Sequence, residues 1–218
     1  MKGNIGSGKS TFLTKLGEKL ENHSINVDLY FEPEDEWQEH NLLTNATKYP
    51  TVFAFPLQTL VMLSLFRQRA NIKTQKGPAV SLFERGIETS HKVFLEVFKK
   101  ESKITDCESN ILDIVFTILS QTKKIPKIDL VIYLKSSPED CLKQITKRGG
   151  GADSEITIDY LQALSMQYDK YIADIFPQKK VIILENNHDT DFEKLCEEAA
   201  QLVALKLFIK SGVPSKSI

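Results

Sequence analysis

Apolar residues return at helical spacing directly after the first glycines. Phe12, Leu13, Leu16 and Leu20 share one face, which predicts a helix over residues 10 to about 22 with one buried side. Ile25, Val27, Leu29 and Phe31 then alternate with polar residues, the period of a strand, and Glu32-Pro33 ends it. The polar stretch 44–49 reads as a loop, followed by a helix over about 55–69. A short apolar run, Ala79-Val80-Ser81-Leu82-Phe83, stops at Glu84-Arg85-Gly86. Helical periodicity covers 87–100 and 109–121. Leu130-Val131-Ile132-Tyr133-Leu134 is apolar without alternation, as a strand covered on both faces would be. Ser137 then offers a capping hydroxyl, Pro138 fits a first helical turn, and Glu139 and Asp140 suit the positive helix end. Val181-Ile182-Ile183-Leu184 is a last strand and 192 to about 208 a last helix. Strands alternating with helices predict an α/β fold: a parallel sheet with helices on both faces and ligands at the carboxyl ends of its strands. With no repeat or linker, the 218 residues are expected to form one domain.

Composition narrows the function classes. A formal charge of -1, with both signs interspersed, argues against a duplex nucleic-acid or membrane-surface protein and leaves room for one local anion pocket. Three scattered cysteines, Cys107, Cys141 and Cys196, suit reduced thiols in a reducing compartment. No run reaches the roughly 18 apolar residues of a membrane span, and no signal-type apolar segment opens the chain. The expected address is cytoplasmic.

The strongest local signal is Gly3-Asn4-Ile5-Gly6-Ser7-Gly8-Lys9-Ser10-Thr11, which fits G-x-x-x-x-G-K-[ST]. Its glycines let backbone N–H groups turn inward around phosphate oxygens, and the helix behind adds positive potential. Lys9 supplies a mobile charge for the outer phosphates of ATP, and Ser10 is placed to hold Mg²⁺. Such a loop follows a buried central strand, yet only Met1-Lys2 precede it here. The expectation is therefore a first strand missing by truncation, or its slot filled by another segment.

Three further segments carry a resemblance: Phe31-Glu32-Pro33-Glu34-Asp35-Glu36-Trp37, Phe55-Pro56-Leu57-Gln58-Thr59-Leu60-Val61 and Phe83-Glu84-Arg85-Gly86. With Ile132-Tyr133-Leu134, Ser137-Pro138-Glu139 and Asp159-Tyr160-Leu161 they make the chain, from Gly3 to about Phe208, similar to the deoxynucleoside kinases, a P-loop kinase family. The resemblance implies transfer of a γ-phosphoryl group from ATP to a deoxynucleoside 5′-hydroxyl, with Mg²⁺, in a homodimer. A sugar hydroxyl attacking phosphorus must lose its proton, and Glu32 matches the family's general base. Arg85 matches the arginine at the 5′-oxygen, and Glu84 the acid that reaches Mg²⁺. Gln58 matches the residue that reads the base edge, with Val61 and Leu65 on the same helical face. Trp37 and Phe94 match the aromatics that bound the base plane.

The uncharged Leu65 and Ser90 stand where deoxycytidine- and deoxyguanosine-selective members carry an arginine and an aspartate. They point to thymidine or a broad pyrimidine range. Thr47 takes the place of the tyrosine that touches the sugar 3′-hydroxyl, with Tyr49 two residues on as a stand-in, and Asp153 matches the accompanying lid acid. The lid, about 143–156, keeps Arg148 as its clear arginine, with Lys143 and Lys147 as further cations. Asp191-Phe192 resembles the segment that holds adenine. Two rivals share the scaffold: a nucleoside monophosphate kinase, which the acidic stretch 32–36 disfavours, and a non-catalytic relative of the kind found as an accessory subunit of respiratory complex I.

Overall fold

The structure is a computed structural model and describes residues 1–72, 79–123, 125–149, 155–176 and 181–211. Asp153, Gly150 and Gly151 of the lid lie outside the described residues. Helix α1 (Lys9–Asn22) leads to strand β1 (Asn26–Tyr30), then α2 (Glu34–Gln38), α3 (Leu42–Lys48) and α4 (Pro50–Ala70). Strand β2 (Ala79–Phe83) feeds one long helical rod, α5 (Ile87–Thr89), a π-helical stretch over Ser90–Leu95, and α6 (Glu96–Lys100). Then come α7 (Asp106–Gln121), β3 (Val131–Lys135), α8 (Pro138–Arg148), α9 (Ile158–Ile175), β4 (Val181–Glu185) and α10 (Phe192–Ser211).

Two expectations change. The stretch 44–49 is largely helical, because Ala46 turns inward against the core shared with α4, and α4 begins at Pro50. Proline suits that first turn, where its missing N–H has no partner to lose. Helix α7 starts at Asp106, since Thr105 and Glu108 cap each other reciprocally.

The strands pair in parallel, β1 with β2 and β3 with β4. Strand β3 shows why its run lacks alternation: Ile132 and Leu134 enter the core under α1 and α10, while Val131 and Tyr133 enter the core under α9. Helices cover both faces, as the pattern predicted.

Among the described residues, Met1 and Lys2 lie between β2 and β3. Lys2 makes one parallel bridge to Tyr133, with its N–H on the Ile132 carbonyl at 2.7 Å and its carbonyl taking the Leu134 N–H at 2.9 Å. The Met1 amino group donates to the Phe83 carbonyl on the other side. Burial drives that amine down to about 4. Below this bridge the strands stay apart around a cavity of about 380 Å³, lined by residues 79–82, 128–132 and Leu13, Leu16 and Val203. Met1 and Lys2 thus hold the upper end of the space between β2 and β3.

Among the described residues one helix, α4, is long and apolar enough to cross a membrane, and its Ala54, Leu57, Val61, Met62 and Leu65 are buried in the protein.

Candidate active site

The carboxyl ends of β1 and β2 open into a cavity of about 740 Å³ that runs from the phosphate loop past the body of α4 to α6 and the turn after it. The loop is set by backbone geometry. Gly8 precedes α1 at φ +84°, and Gly6 at φ +76° passes so close to α8 that a Cβ there would stand 2.5 Å from the Cys141 carbonyl oxygen. Asn4 ties the loop to α9 through Leu161 at 2.8 Å, and Asn186 holds the Ser7 carbonyl at 3.0 Å. The Lys9 ammonium curls onto the Asn4 carbonyl at 2.9 Å. Burial lowers its pKa, and Glu32 is the foremost neighbour opposing that shift.

Pairing of β1 with β2 brings two strand ends together here, Glu32 from one and Glu84-Arg85 from the other. Arg85 Nε lies 2.8 Å from Glu32 Oε1, with both side chains nearly buried. The pair is close yet poorly aligned as a hydrogen bond, and both atoms are shut off from the surface, so their contact is a buried ion pair. Burial, the largest single influence, would lower the Arg85 pKa; Glu32, with Tyr168, Tyr160 and Glu84 adding to it, turns the net shift upward, so the guanidinium stays charged. Arg85 also lies 4.1 Å over the Phe94 ring and 5.6 Å from that of Trp37. Ser10 Oγ donates to Glu84 Oε1 at 2.7 Å, and Glu84 Oε2 reaches the Glu32 N–H at 3.4 Å. A hydroxyl and a carboxylate side by side at a phosphate loop are a hard-oxygen set of the kind Mg²⁺ takes alongside phosphate oxygens.

A family model, deoxynucleoside kinase, matches residues 1–205. The chain belongs to the deoxynucleoside kinase family. It is 29% identical to a probable deoxycytidine kinase of fowlpox virus, over 88% of this chain and 79% of that protein. It is 30% identical to a deoxyadenosine kinase of Dictyostelium discoideum (89% and 74%) and 25% identical to the human mitochondrial thymidine kinase 2 (86% and 70%).

Within this kinase-family chain the cavity gathers Ile5, Gly6, Gly8, Lys9, Ser10, Thr11, Glu32, Trp37, Thr47, Gln58, Val61, Glu84, Arg85, Phe94 and Arg148 from the sequence-derived set. Trp37 is fixed by its indole N–H on Ser64 Oγ at 2.8 Å. Gln58 donates to the Ser90 carbonyl, leaving its own carbonyl and second N–H for a ligand. That acceptor sits in the π-helical stretch, a departure from α-geometry that often accompanies functional sites.

Other predicted residues stand elsewhere. Leu65 packs in the core of α4 and α7, and the Ser90 side chain is fully buried behind the cavity wall. Tyr49 is 59% exposed and outside the lining. Thr47 is in the lining, with its hydroxyl spent on the Thr44 carbonyl at 2.7 Å. Gly3, Asn4 and Ser7 shape the loop from behind. Lys143 pairs with Asp140 on the surface, whereas Lys147 joins Arg148 in the lining. Asp191 caps α10 through the Lys194 N–H at 3.1 Å, and the Phe192 ring approaches the Gly8 position.

The cavity also holds residues the pattern did not single out, among them Leu43, Leu57, Phe98, Lys103 and Glu155. Tyr160 stacks on Phe98 at 6.4 Å. The aromatic repeat Phe94, Phe98 at i, i+4 was a signal available in the sequence.

Proposed function

We propose that this chain transfers the γ-phosphoryl group of ATP to the 5′-hydroxyl of a deoxynucleoside, with thymidine or a broad range of pyrimidines as acceptor. The observation that carries this reading is the Glu32–Arg85 pair, set in one cavity with the phosphate loop. The loop and Lys9 hold the triphosphate, whose negative charge the α1 N-terminus also favours. Glu32 accepts the proton of the 5′-hydroxyl as its oxygen bonds to the γ-phosphorus. The bond from that phosphorus to the β–γ bridging oxygen breaks, and ADP leaves. Arg85, released from part of its contact with Glu32, neutralises charge on the transferring group, with Arg148 and Lys147 facing the same space. Ser10 and Glu84 would hold Mg²⁺ brought by ATP, which supplies further neutralisation of the phosphates.

For the acceptor, Trp37 and Phe94 bound a flat group while Gln58 reads its edge. Uncharged Leu65 and Ser90 behind the wall favour a pyrimidine without demanding one exocyclic group, and an apolar wall discriminates a methyl by only about 1–3 kcal/mol. Glu34 also lines the cavity near Glu32, which disfavours an acceptor that already bears a phosphate. We assign the active form as a homodimer, supported by the exposed stripe Ile111, Ile114 and Ile118 on α7. Ile118→Glu is expected to shift gel-filtration mass from dimer to monomer, and an unchanged elution would refute that assignment. An exposed free thiol at Cys107 suits a reducing, cytosol-like compartment.

The test is ATP-dependent phosphorylation of the four deoxynucleosides, and of thymidine monophosphate, with Glu32→Gln as control. Turnover above the control on thymidine or deoxycytidine is expected. Absence of turnover on all four, or preference for the monophosphate, would overturn the reading.

A further inference from the structure

Among the described residues, five cationic side chains line the cavity: Lys9, Lys103, Arg85, Lys147 and Arg148. Four come from the phosphate loop, the end of β2 or α8. Lys103 comes from the opposite end, the turn between α6 and α7. Going away from the phosphate loop, Arg85 lies over Phe94, Phe98 follows one helical turn later, and Lys103 closes the row, 5.9 Å from the Phe98 ring and 4.7 Å from that of Tyr160.

The turn that aims it is strained. Helix α6 ends in a Schellman motif, with the Ser102 N–H on the Lys99 carbonyl at 3.1 Å and the Lys103 N–H on the Phe98 carbonyl at 2.9 Å. The left-handed position of that motif belongs to glycine, yet here Ser102 adopts φ +54°. Helix α1 ends in the same kind of turn at Ser24, so the turn sets the direction of Lys103 and the lining of the cavity makes it available to a ligand. Glu101 balances the ammonium at 2.5 Å, and the side chain keeps enough exposure to meet a molecule in the cavity.

We propose that Lys103 is a specificity-determining residue for the acceptor: its ammonium donates to an oxygen at the end of the nucleoside far from the phosphate loop. An ammonium offers three donors and no acceptor, so it welcomes a carbonyl or hydroxyl oxygen and rejects an amino group at the same place. The oxygen belongs either to the base, as a carbonyl, or to the sugar, as its 3′-hydroxyl. This inference rests on the kinase reading above.

The experiment measures kcat and KM of wild type, Lys103→Met and Lys103→Arg with thymidine, deoxycytidine and 3′-deoxythymidine. Methionine keeps the apolar stem over Phe98 and Tyr160 and removes only the charge, and melting curves check that the fold is intact. Loss of a charged hydrogen bond made equally in ground and transition states raises KM roughly 10- to 100-fold at nearly constant kcat, with arginine restoring most of it. A penalty that vanishes with 3′-deoxythymidine assigns the sugar oxygen; one kept there but smaller with deoxycytidine assigns a base carbonyl. KM within twofold of wild type on all three substrates, or a fall in kcat alone, overturns the proposal and makes Lys103 a packing residue. No turnover by wild type on any deoxynucleoside removes the kinase reading and this proposal with it.

Discussion

Removing the negative member of the Glu32–Arg85 pair should cost stability and turnover by amounts that can be separated. The two side chains are 7% and 10% exposed, so the Arg85 charge has little access to water once its partner is neutral. Breaking a buried pair from one side typically costs about 3–5 kcal/mol. Here the Phe94 face at 4.1 Å still attracts the guanidinium, worth about 0.5–2 kcal/mol. Glu32→Gln is therefore expected to lose about 2–4 kcal/mol, which for a chain of this size lowers Tm by roughly 5–15 °C. The Lys9 ammonium loses its main counter-charge at the same time, so its pKa should fall further from an already lowered value. Turnover should fall about 10²–10⁴-fold through loss of the proton acceptor. Adding Arg85→Met removes the stranded charge and should return more than half of the lost stability, with no return of activity. Thermal melts and single-turnover phosphorylation at a temperature well below every Tm measure the two effects. Full activity in Glu32→Gln, or activity recovered together with stability in the double variant, would refute the argument that Glu32 takes the proton.

Gly6→Ala puts a Cβ 2.5 Å from the Cys141 carbonyl oxygen and 2.9 Å from Ile145 at φ +76°, so the loop must move. ATP affinity by calorimetry is expected to weaken by about 1.4 kcal/mol or more, tenfold in Kd, and an unchanged Kd would contradict the geometry. Four apolar residues placed ahead of Met1 should enter the slot between β2 and β3, where burial at about 1.5–3 kcal/mol per side chain, offset by ordering at about 1–2 kcal/mol per residue, leaves a net gain of about 2–4 kcal/mol. Tm should rise by roughly 5–15 °C relative to an extension of four serines, and equal Tm values would show that the slot does not accept a strand. His91 Nε2 lies 2.6 Å from Asp113, and burial holds the imidazole below its ordinary pKa despite that carboxylate. The unfolded chain then binds more protons below about pH 6.5, so stability falls as pH drops from 7 through that window. Urea midpoints at pH 7 and pH 5 should converge in His91→Gln, and an unaltered pH slope would assign the effect elsewhere.

What the chain determined locally could be read from it directly. The phosphate loop is legible because its glycines, Lys9 and Ser10 are consecutive, and backbone conformation alone turns them toward one centre. Strands β2, β3 and β4 are legible because each is an apolar run of strand length between breakers. Helix α4 marks the limit of such reading. It is apolar on most sides, so its spacing cannot say which of Val61 and Leu65 faces a ligand. Only packing sends Val61 to the cavity and Leu65 to the core against α7. Helix α3 read as loop because its one buried residue, Ala46, gives no periodic signal until α4 lies against it. The Glu32–Arg85 contact exists because two strands distant in sequence pair in register, and the place of Lys103 depends on a helix-ending turn and on α9 bringing Tyr160 beneath it. Chemistry carried by neighbouring residues is written in the order of the chain. Chemistry carried by residues that meet across the fold is decided by burial, because only the closing core determines which side chains share one water-poor cavity.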